Sequence, residues 1–276
     1  MFHTRIIVRC PAELSEVILA ELAQVGFDAF IETPDGFEGY AEGDRYDEEA
    51  VEDIWHRYEG HADHLSFSFD RVEKTNWNEA WEKSYEPIVV DDRCLIRAAF
   101  HKPERQYRYE IIITPKMSFG TGHHPTTRLM IRAQLDMDHQ GRRVLDAGCG
   151  TAILSIMASK LGASEIHSVD PDEWSITNGE ENARLNDCYN INLYRGTTRE
   201  HDFEEPFDII LANINKNILL ADMGWYADHL RPGGSLVLSG FYDSDATDIL
   251  AQSARYGLVF LHRYDEENWV ALRLKK

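Results

Sequence analysis

The stretch Val144-Leu145-Asp146-Ala147-Gly148-Cys149-Gly150 decides the fold of this 276-residue chain. An apolar run ends there in an acid, two glycines follow one residue apart, and residues 153–161 are apolar at helical spacing. This pattern predicts a buried strand, a tight turn and the first turns of a helix. Glycine reaches positive φ and has no Cβ, so a ligand can lie against bare backbone at Gly148 and Gly150.

A second apolar run ends in a second acid, at Ser168-Val169-Asp170, twenty residues after Gly150. An acid at the tip of the second strand commonly holds the hydroxyls of a nucleotide ribose. The sequence therefore predicts a nucleoside site that includes Asp170.

From residue 143 onward, strand-like and helical segments alternate. The predicted strands cover residues 143–147, 165–170, 191–194, 207–212, 235–239, 258–263 and 269–274, and the predicted helices cover 153–161, 173–186, 216–230 and 243–254. This alternation predicts a doubly wound, mainly parallel sheet with helices on both faces. Residues 264–268 are too few for a crossover, so the last two strands must pair antiparallel. Such a seventh strand is typical of the class I, S-adenosylmethionine-dependent methyltransferase fold.

The glycine turn also favours S-adenosylmethionine over a dinucleotide as the cofactor. A dinucleotide turn needs a third glycine for close packing of its helix, and residues 148–153 lack it. Asp146, two positions before the first glycine, would repel a pyrophosphate but attract the ammonium of a methionine. Asp170 can then hold the ribose of the adenosine.

The predicted fourth strand of the sheet ends in Leu211-Ala212-Asn213-Ile214-Asn215-Lys216. Ligands of doubly wound sheets bind outside the carboxyl ends of the strands. Asn213 is therefore the predicted catalytic residue, placed to reach the methyl donor or the acceptor amine with its side-chain oxygen. The alternative is that Asn213 only caps the helix that follows.

Residues 117–127, which we call the lid loop, are rich in glycine, histidine and hydroxyl groups. We expect this loop to lie over the edge of the cofactor, with Thr126 or Thr127 as the cap of a helix at residues 128–135. His123 and His124 are candidates for a catalytic base, with packing at the helix entry as the alternative.

Residues 1–72 predict a small α+β domain of β-α-β-β-α-β order, which is that of the ferredoxin-like unit. Nothing in this domain indicates catalysis, so we interpret it as a substrate-recognition domain. Residues 73–87 are expected to form a linker helix, with Trp77 and Trp81 on one face. Residues 88–276 form the predicted methyltransferase domain, in which the strand-like segments 88–100 and 107–113 are expected to make a hairpin.

The chain has a net charge of −20, which argues against free nucleic acid as its partner. Residues 1–75 contain 18 Asp or Glu and 6 Lys or Arg, a net charge of −12. Such a surface is either simply well solvated or a docking face for a basic protein.

The remaining composition indicates a cytoplasmic protein without metal or membrane partners. No apolar run approaches the length of a membrane span, and the N-terminus lacks the apolar core of a signal peptide. The four cysteines are scattered, which suits a reducing compartment. His56, His61 and His64 lack the acids or cysteines that would complete a convincing metal site.

Five motifs together resemble one family, the bacterial PrmA-type methyltransferases of the large-subunit ribosomal protein L11. The motifs are Phe119-Gly120-Thr121-Gly122-x-His124-Pro125-Thr126-Thr127, Asp146-x-Gly148-Cys149-Gly150, Lys160-Leu161-Gly162-Ala163, Val169-Asp170-Pro171 and Ala212-Asn213-Ile214. The resemblance runs from about residue 77 to the C-terminus. It departs from the family at Thr151-Ala152, where the family usually has serine and glycine.

This resemblance implies methylation of lysine ε-amines and of the N-terminal amine of that basic ribosomal protein. It also implies a small N-terminal recognition domain, in agreement with the layout of residues 1–72. The cofactor-contacting positions of the family fall on Thr127, Gly148, Asp170 and Asn213.

Other functions remain open at this point. A methyltransferase of glutamine or adenine is disfavoured, because it would need Asn-Pro-Pro-aromatic where this chain has residues 213–216. A small-molecule methyltransferase has no need of an acidic N-terminal domain. A non-catalytic ribosome-assembly protein that keeps the fold would have no reason to keep Asp146, Asp170 and Asn213 together.

Overall fold

The computed structural model describes residues 2–59, 65–73, 86–103, 105–114 and 119–276. The chain divides into two compact units, Met1–Ser84 and Tyr85–Lys276. Trp77 and Trp81 of the expected linker helix lie outside the described residues, and so do His61 and His64. None of the helices in the described ranges is long and apolar enough to cross a membrane.

The first unit contains a four-stranded antiparallel sheet. Its elements in chain order are β1 (Phe2–Arg9), α1 (Ala12–Gln24), β2 (Ala29–Thr33), β3 (Gly36–Glu42), α2 (Glu48–Tyr58) and β4 (Ser66–Glu73). This is the order of elements that the sequence predicts. The strands lie in the order β2-β3-β1-β4, and every pair is antiparallel. Alternate β1 residues, Ile6 and Val8, pack into the core with Ile18 and Leu22 of α1.

The second unit contains the alternating strands and helices. Its elements are β5 (Ile88–Val90), β6 (Cys94–Arg97), β7 (Tyr109–Ile112), α3 (Pro125–Leu135), β8 (Arg143–Ala147), α4 (Ile153–Lys160), β9 (Glu165–Asp170), α5 (Glu173–Leu185), β10 (Ile191–Arg195), β11 (Phe207–Asn213), α6 (Lys216–His229), β12 (Leu230–Tyr242), α7 (Ala246–Arg255), β13 (Val259–Glu266) and β14 (Trp269–Lys275). The seven-stranded sheet has the order β10-β9-β8-β11-β12-β14-β13. Strand β14 is antiparallel to both of its neighbours, so the predicted reversal at the end of the sheet is confirmed.

Both faces of this sheet are buried, as the near-continuous apolar runs of its strands predict. Successive residues of one strand enter different cores because strand side chains alternate between faces. Val144 of β8 belongs to a core with Leu129 and Met130 of α3. Leu145, its neighbour, belongs to a second core with Leu219 and Met223 of α6. The sheet is therefore doubly wound.

The expectation that residues 88–100 and 107–113 form one hairpin is wrong. Strands β5 and β6 already form a hairpin with each other, and β7 pairs with β6 in parallel. The tight turn consists of Asp91 and Asp92, with φ of 49° and 53°. The loop between the paired residues Val90 and Cys94 has three residues, and the N–H of the third, Arg93, donates to the carbonyl of Val90 at 3.0 Å. The chain therefore turns back earlier than its apolar pattern indicates.

Candidate cofactor and active site

A cavity of about 370 Å³ lies beside the carboxyl ends of β8, β9, β10 and β11. Three of the predicted cofactor-binding residues line it, namely Gly148, Gly150 and Asp170. The cavity lies at the switch point of the sheet. Strands β9 and β10 follow β8 on one side of it, and β11 pairs with β8 on the other side. Doubly wound sheets bind nucleotides at this place.

Asp170 is fixed by two backbone groups at the rim of this cavity. Its Oδ2 accepts a hydrogen bond from the N–H of Gly150 at 2.9 Å, and its Oδ1 accepts one from the N–H of Asp172 at 3.0 Å. The N–H groups of Gly148 and Cys149 both donate to the carbonyl of Val169. The glycine turn and the tip of β9 therefore form one hydrogen-bonded unit.

The two glycines have neighbours that exclude a side chain. A Cβ on Gly148 (φ +76°) would lie 2.3 Å from Cγ2 of Ile214, and a Cβ on Gly150 (φ +51°) would lie 2.3 Å from the carbonyl oxygen of Phe119. The sequence predicts bare backbone at these two positions as a surface for a ligand. In the structure, atoms of Ile214 and Phe119 also lie too close to these two glycines to leave room for a Cβ.

Asp146 is completely buried and does not line the cavity. Its Oδ2 accepts hydrogen bonds from the backbone N–H of Ser155 at 3.1 Å and from the hydroxyl of Ser155 at 2.5 Å. Burial raises the pKa of Asp146 to about 7, although the bonds from Ser155 oppose that rise. Its Oδ1 has no hydrogen-bond partner among the described residues.

Thr127 and Asn213 show the same property as Asp146. Oγ1 of Thr127 and Oδ1 of Asn213 are buried and have no partner within the described ranges. A buried polar atom without a hydrogen-bond partner lowers the stability of the fold by about 1–3 kcal/mol. These three oxygens are therefore candidates to form hydrogen bonds with a ligand. Neither residue lines the cavity, but Ile214, the next residue after Asn213, does.

Asn213 is not the cap of the following helix. Asn215 holds that position at the start of α6, and its Oδ1 accepts a hydrogen bond from the N–H of Ile218 at 3.2 Å. Asn213 is instead the last residue of β11. The capping alternative that the sequence left open therefore belongs to a different residue.

Thr151 ties the described start of the lid loop to the glycine turn. Its N–H donates to the carbonyl of Phe119 at 2.9 Å, and its hydroxyl donates to the carbonyl of Gly120 at 2.6 Å. The side chain of Phe119 lines the cavity and is 53% exposed. Residues 117 and 118 lie outside the described part of the chain.

The expectation that Thr126 or Thr127 caps α3 is wrong, because His124 is the cap. The Nδ1 of His124 accepts a hydrogen bond from the N–H of Thr126 at 3.3 Å. Its ring contacts those of Phe119 and Trp269, at centroid distances of 5.3 Å and 4.6 Å. Burial and the charge of Arg128 lower the pKa of His124, which suits a neutral ring that accepts at Nδ1.

Eight lining residues were not named from the sequence, and four of them are polar residues at two places in the fold. These four are Thr197 and Thr198 after β10, and Asp222 and Tyr226 on α6. The two threonines follow a strand end, so the rule that singled out Asp170 would have found them. Asp222 and Tyr226 are one helical turn apart on a helix interior, where no local signal indicates a site. The hydroxyl of Tyr226 is also buried without a described partner.

The described residues contain no group of three or more His, Cys, Asp or Glu side chains that could hold a metal ion.

Comparison of this sequence with known proteins identifies the family to which it is similar. The model of the family described as Ribosomal protein L11 methyltransferase (PrmA) matches residues 31–276. A ribosomal protein L11 methyltransferase from Phocaeicola vulgatus is 38% identical over 265 residues, which cover 96% of this chain and 94% of that protein. One from Porphyromonas gingivalis is 41% identical over 259 residues, covering 94% and 89% of the two chains.

Solved structures agree with these sequence relatives. The crystal structure of a ribosomal protein L11 methylase from Lactobacillus delbrueckii subsp. bulgaricus superposes with a TM-score of 0.64 at 29% identity, covering 69% of this chain and 98% of that one. A methyltransferase from Pyrococcus furiosus shares the fold, with a TM-score of 0.51 at 18% identity. The chain belongs to the ribosomal protein L11 methyltransferase family, and its larger unit has the class I methyltransferase fold.

Proposed function

We propose that this chain transfers methyl groups from S-adenosylmethionine to the lysine ε-amines and the N-terminal amine of ribosomal protein L11. The observation that carries this proposal is the cavity at the switch point, lined by the glycine turn and Asp170, in a member of this family. Its volume of about 370 Å³ lies in the range of small-molecule sites.

The residues around the cavity fit S-adenosylmethionine. The carboxylate of Asp170, held by two N–H groups, keeps acceptor capacity for ribose hydroxyls. Asp146 and Thr127 do not line the cavity, but each has a buried oxygen without a described partner. We assign Oδ1 of Asp146 to the methionine ammonium and the hydroxyl of Thr127 to a polar group of the cofactor. Gly148 and Gly150 present backbone without side chains. The bound cofactor supplies a methyl group on a positively charged sulfonium.

The task of the protein is to present a neutral amine in line with that methyl group. Transfer is a displacement with a good leaving group, so positioning contributes most of the catalysis. A lysine in water is protonated at neutral pH, and the positive sulfonium together with exclusion of water favours loss of that proton. The Oδ1 of Asn213 accepts an N–H from the amine and so aims its lone pair at the methyl group.

Replacement of Asn213 by Ala tests this orienting role. Loss of one positioned acceptor should lower kcat by about 10²-fold, by analogy with other hydrogen-bonding groups in active sites, while the affinity for S-adenosylmethionine changes only a few-fold. Turnover and cofactor binding are measured separately, by methyl incorporation and by titration. Equal losses in both quantities would show that Asn213 serves the cofactor rather than the amine.

The two alternative functions are separated by one labelling experiment. Purified chain is incubated with S-adenosylmethionine labelled in its methyl group, in one reaction with purified large-subunit ribosomal proteins and in another with small amines. We expect label on L11. A chain that labels only small amines is a small-molecule methyltransferase, and a chain that labels nothing is a non-catalytic ribosome-assembly protein.

A further inference from the structure

A second cavity, of about 400 Å³, lies within the first unit. It opens between α2 and β4, which is an edge strand of the four-stranded sheet. We call it the α2–β4 cleft. Its lining residues are Tyr46, Glu48, Val51, Glu52, Trp55, Phe67 and Phe69.

The spacing of these residues explains why they share one cleft. Glu48, Glu52 and Trp55 are four and three residues apart on α2 and so lie on one helical face. Phe67 and Phe69 are two apart on β4 and so lie on one face of the sheet. Two glutamates therefore stand beside a set of aromatic rings.

The rings form two pairs that expose aromatic faces and edges. Tyr46 and Phe69 stack at a centroid distance of 6.1 Å with 13° between their planes, and Trp55 meets Phe67 edge-on at 5.2 Å. Phe69 is 47% exposed, which is a large apolar surface to leave in water. The cleft is thus built of aromatic groups that remain accessible.

The two glutamates have no positive partner within the described ranges of this unit. Both are exposed. Arg71, two residues after Phe69 on β4, is paired with Asp44 at 3.6 Å and lies over the ring of Phe2. Burial raises the pKa of Tyr46, the charges of Glu48 and Asp44 raise it further, and the charge of Arg71 opposes them as the smallest of these causes. The charge of Glu48 therefore acts on an aromatic ring of the cleft.

We propose that the α2–β4 cleft binds the ammonium group of a lysine of the protein substrate, with Glu48 and Glu52 as counter-charges and the ring of Phe69 against the cation. Aromatic faces attract cations, and they do so more strongly when the cation is partly removed from water. The net charge of −12 over residues 1–75 attracts a basic protein to this unit. The inference rests on the proposed function, since its ligand is the substrate of that function. A methylated lysine keeps its charge, so the cleft also holds the product of an earlier transfer.

The test compares two double variants of equal charge in the full-length chain. Glu48→Gln with Glu52→Gln removes both counter-charges of the cleft. Glu49→Gln with Asp53→Asn removes two exposed acids of the same helix that do not line it. Purified L11 is the probe, with KM and kcat from methyl transfer and Kd from titration in the presence of S-adenosylhomocysteine.

We expect the cleft variant to raise KM and Kd for L11 about five- to tenfold at 0.1 M salt, with kcat and the KM for S-adenosylmethionine unchanged. The matched control should change them less than twofold. Phe69→Leu, which keeps an apolar side chain but loses the ring, should raise KM roughly fivefold.

Three other outcomes would overturn the assignment of the α2–β4 cleft to a lysine of the substrate. Equal losses in the two double variants would mean that only the overall negative charge matters. A loss in Phe69→Leu without one in the glutamate variant would mean that an apolar side chain occupies the cleft. Self-association of the chain that is lost in Phe69→Leu, with KM for L11 unchanged, would assign the cleft to a second copy. Failure of the unaltered chain to methylate L11 would instead refute the proposed function.

Discussion

Asp146 should make cofactor binding depend on pH between 6 and 7. Its carboxyl is fully buried, and burial raises its pKa from the ordinary 3.8 to about 7. A methionine ammonium next to Oδ1 is attracted by the ionised carboxylate and not by the neutral acid. Binding must therefore expel a proton from every molecule in which Asp146 is still protonated, and the affinity should rise with pH.

The magnitude follows from the protonated fraction. With a pKa of about 7, Asp146 is half protonated at pH 7 and about nine-tenths protonated at pH 6, so the Kd should be about fivefold weaker at pH 6, or roughly 1 kcal/mol. The ligand's own α-amino group stays charged over this range, because such groups titrate near pH 8. Without cofactor, the raised pKa means that Asp146 makes folding less favourable as the pH rises from about 4 to 7.

Titration calorimetry measures this effect directly. In two buffers of different ionisation enthalpy at pH 7, the unaltered chain should release about half a proton on binding S-adenosylmethionine, and Asp146→Asn should release none. Asp172→Asn, which removes a different carboxyl that lines the cavity, should keep the fivefold pH dependence. A flat affinity in the unaltered chain, or an unchanged slope in Asp146→Asn, would refute the contact between Asp146 and the ammonium.

Three further changes test other parts of the structure. Gly148→Ala should weaken cofactor binding more than tenfold and lower Tm more than Gly233→Ala does, because both positions have positive φ but only the first meets Ile214, at 2.3 Å. Thr151→Val, which loses the hydroxyl bond to the lid loop, should release cofactor about fivefold faster in stopped-flow traces. Removal of residues 1–72 should preserve S-adenosylmethionine binding in titrations and abolish label transfer to L11, and normal labelling would contradict the recognition role.

The sequence predicts best those features that short stretches determine. The antiparallel ending of the sheet follows from the few residues between β13 and β14, because so short a link has only one geometry. Gly148, Gly150 and Asp170 meet at the cavity because each follows a strand of one parallel sheet. Neither feature depends on contacts between residues that are far apart in the sequence.

The misplaced hairpin shows what such reasoning cannot reach. The pairing of β7 depends on Asn186, 74 residues away, whose side chain accepts from the N–H of Ile112 at 2.9 Å and donates to its carbonyl at 2.6 Å. The turn at Asp91 and Asp92 uses positive φ without the glycine that usually announces it. Both features are decided by tertiary contacts rather than by local pattern.

The departure at Ala152 places an alanine in a backbone conformation that favours glycine. Ala152 is the cap residue immediately before α4 and lies in the left-handed region, at φ +62°, a conformation that glycine adopts without strain. The glycine usual in the family at this position is therefore the less strained choice. Ala152 is fully buried, and the packing of its methyl group offsets part of the strain.

The two bonds from Thr151 to the lid loop have a consequence for the order of events in catalysis. Both hydrogen bonds must break before the main chain of Phe119 and Gly120 can move away from the glycine turn, and this opposes opening of the segment as a unit. We expect spent cofactor to leave past a rotating Phe119 ring, a motion of nanoseconds rather than the microseconds to milliseconds of loop opening. Exchange of the methyl donor then leaves this stretch of main chain in place, and a protein held for several successive transfers would not have to be released between them.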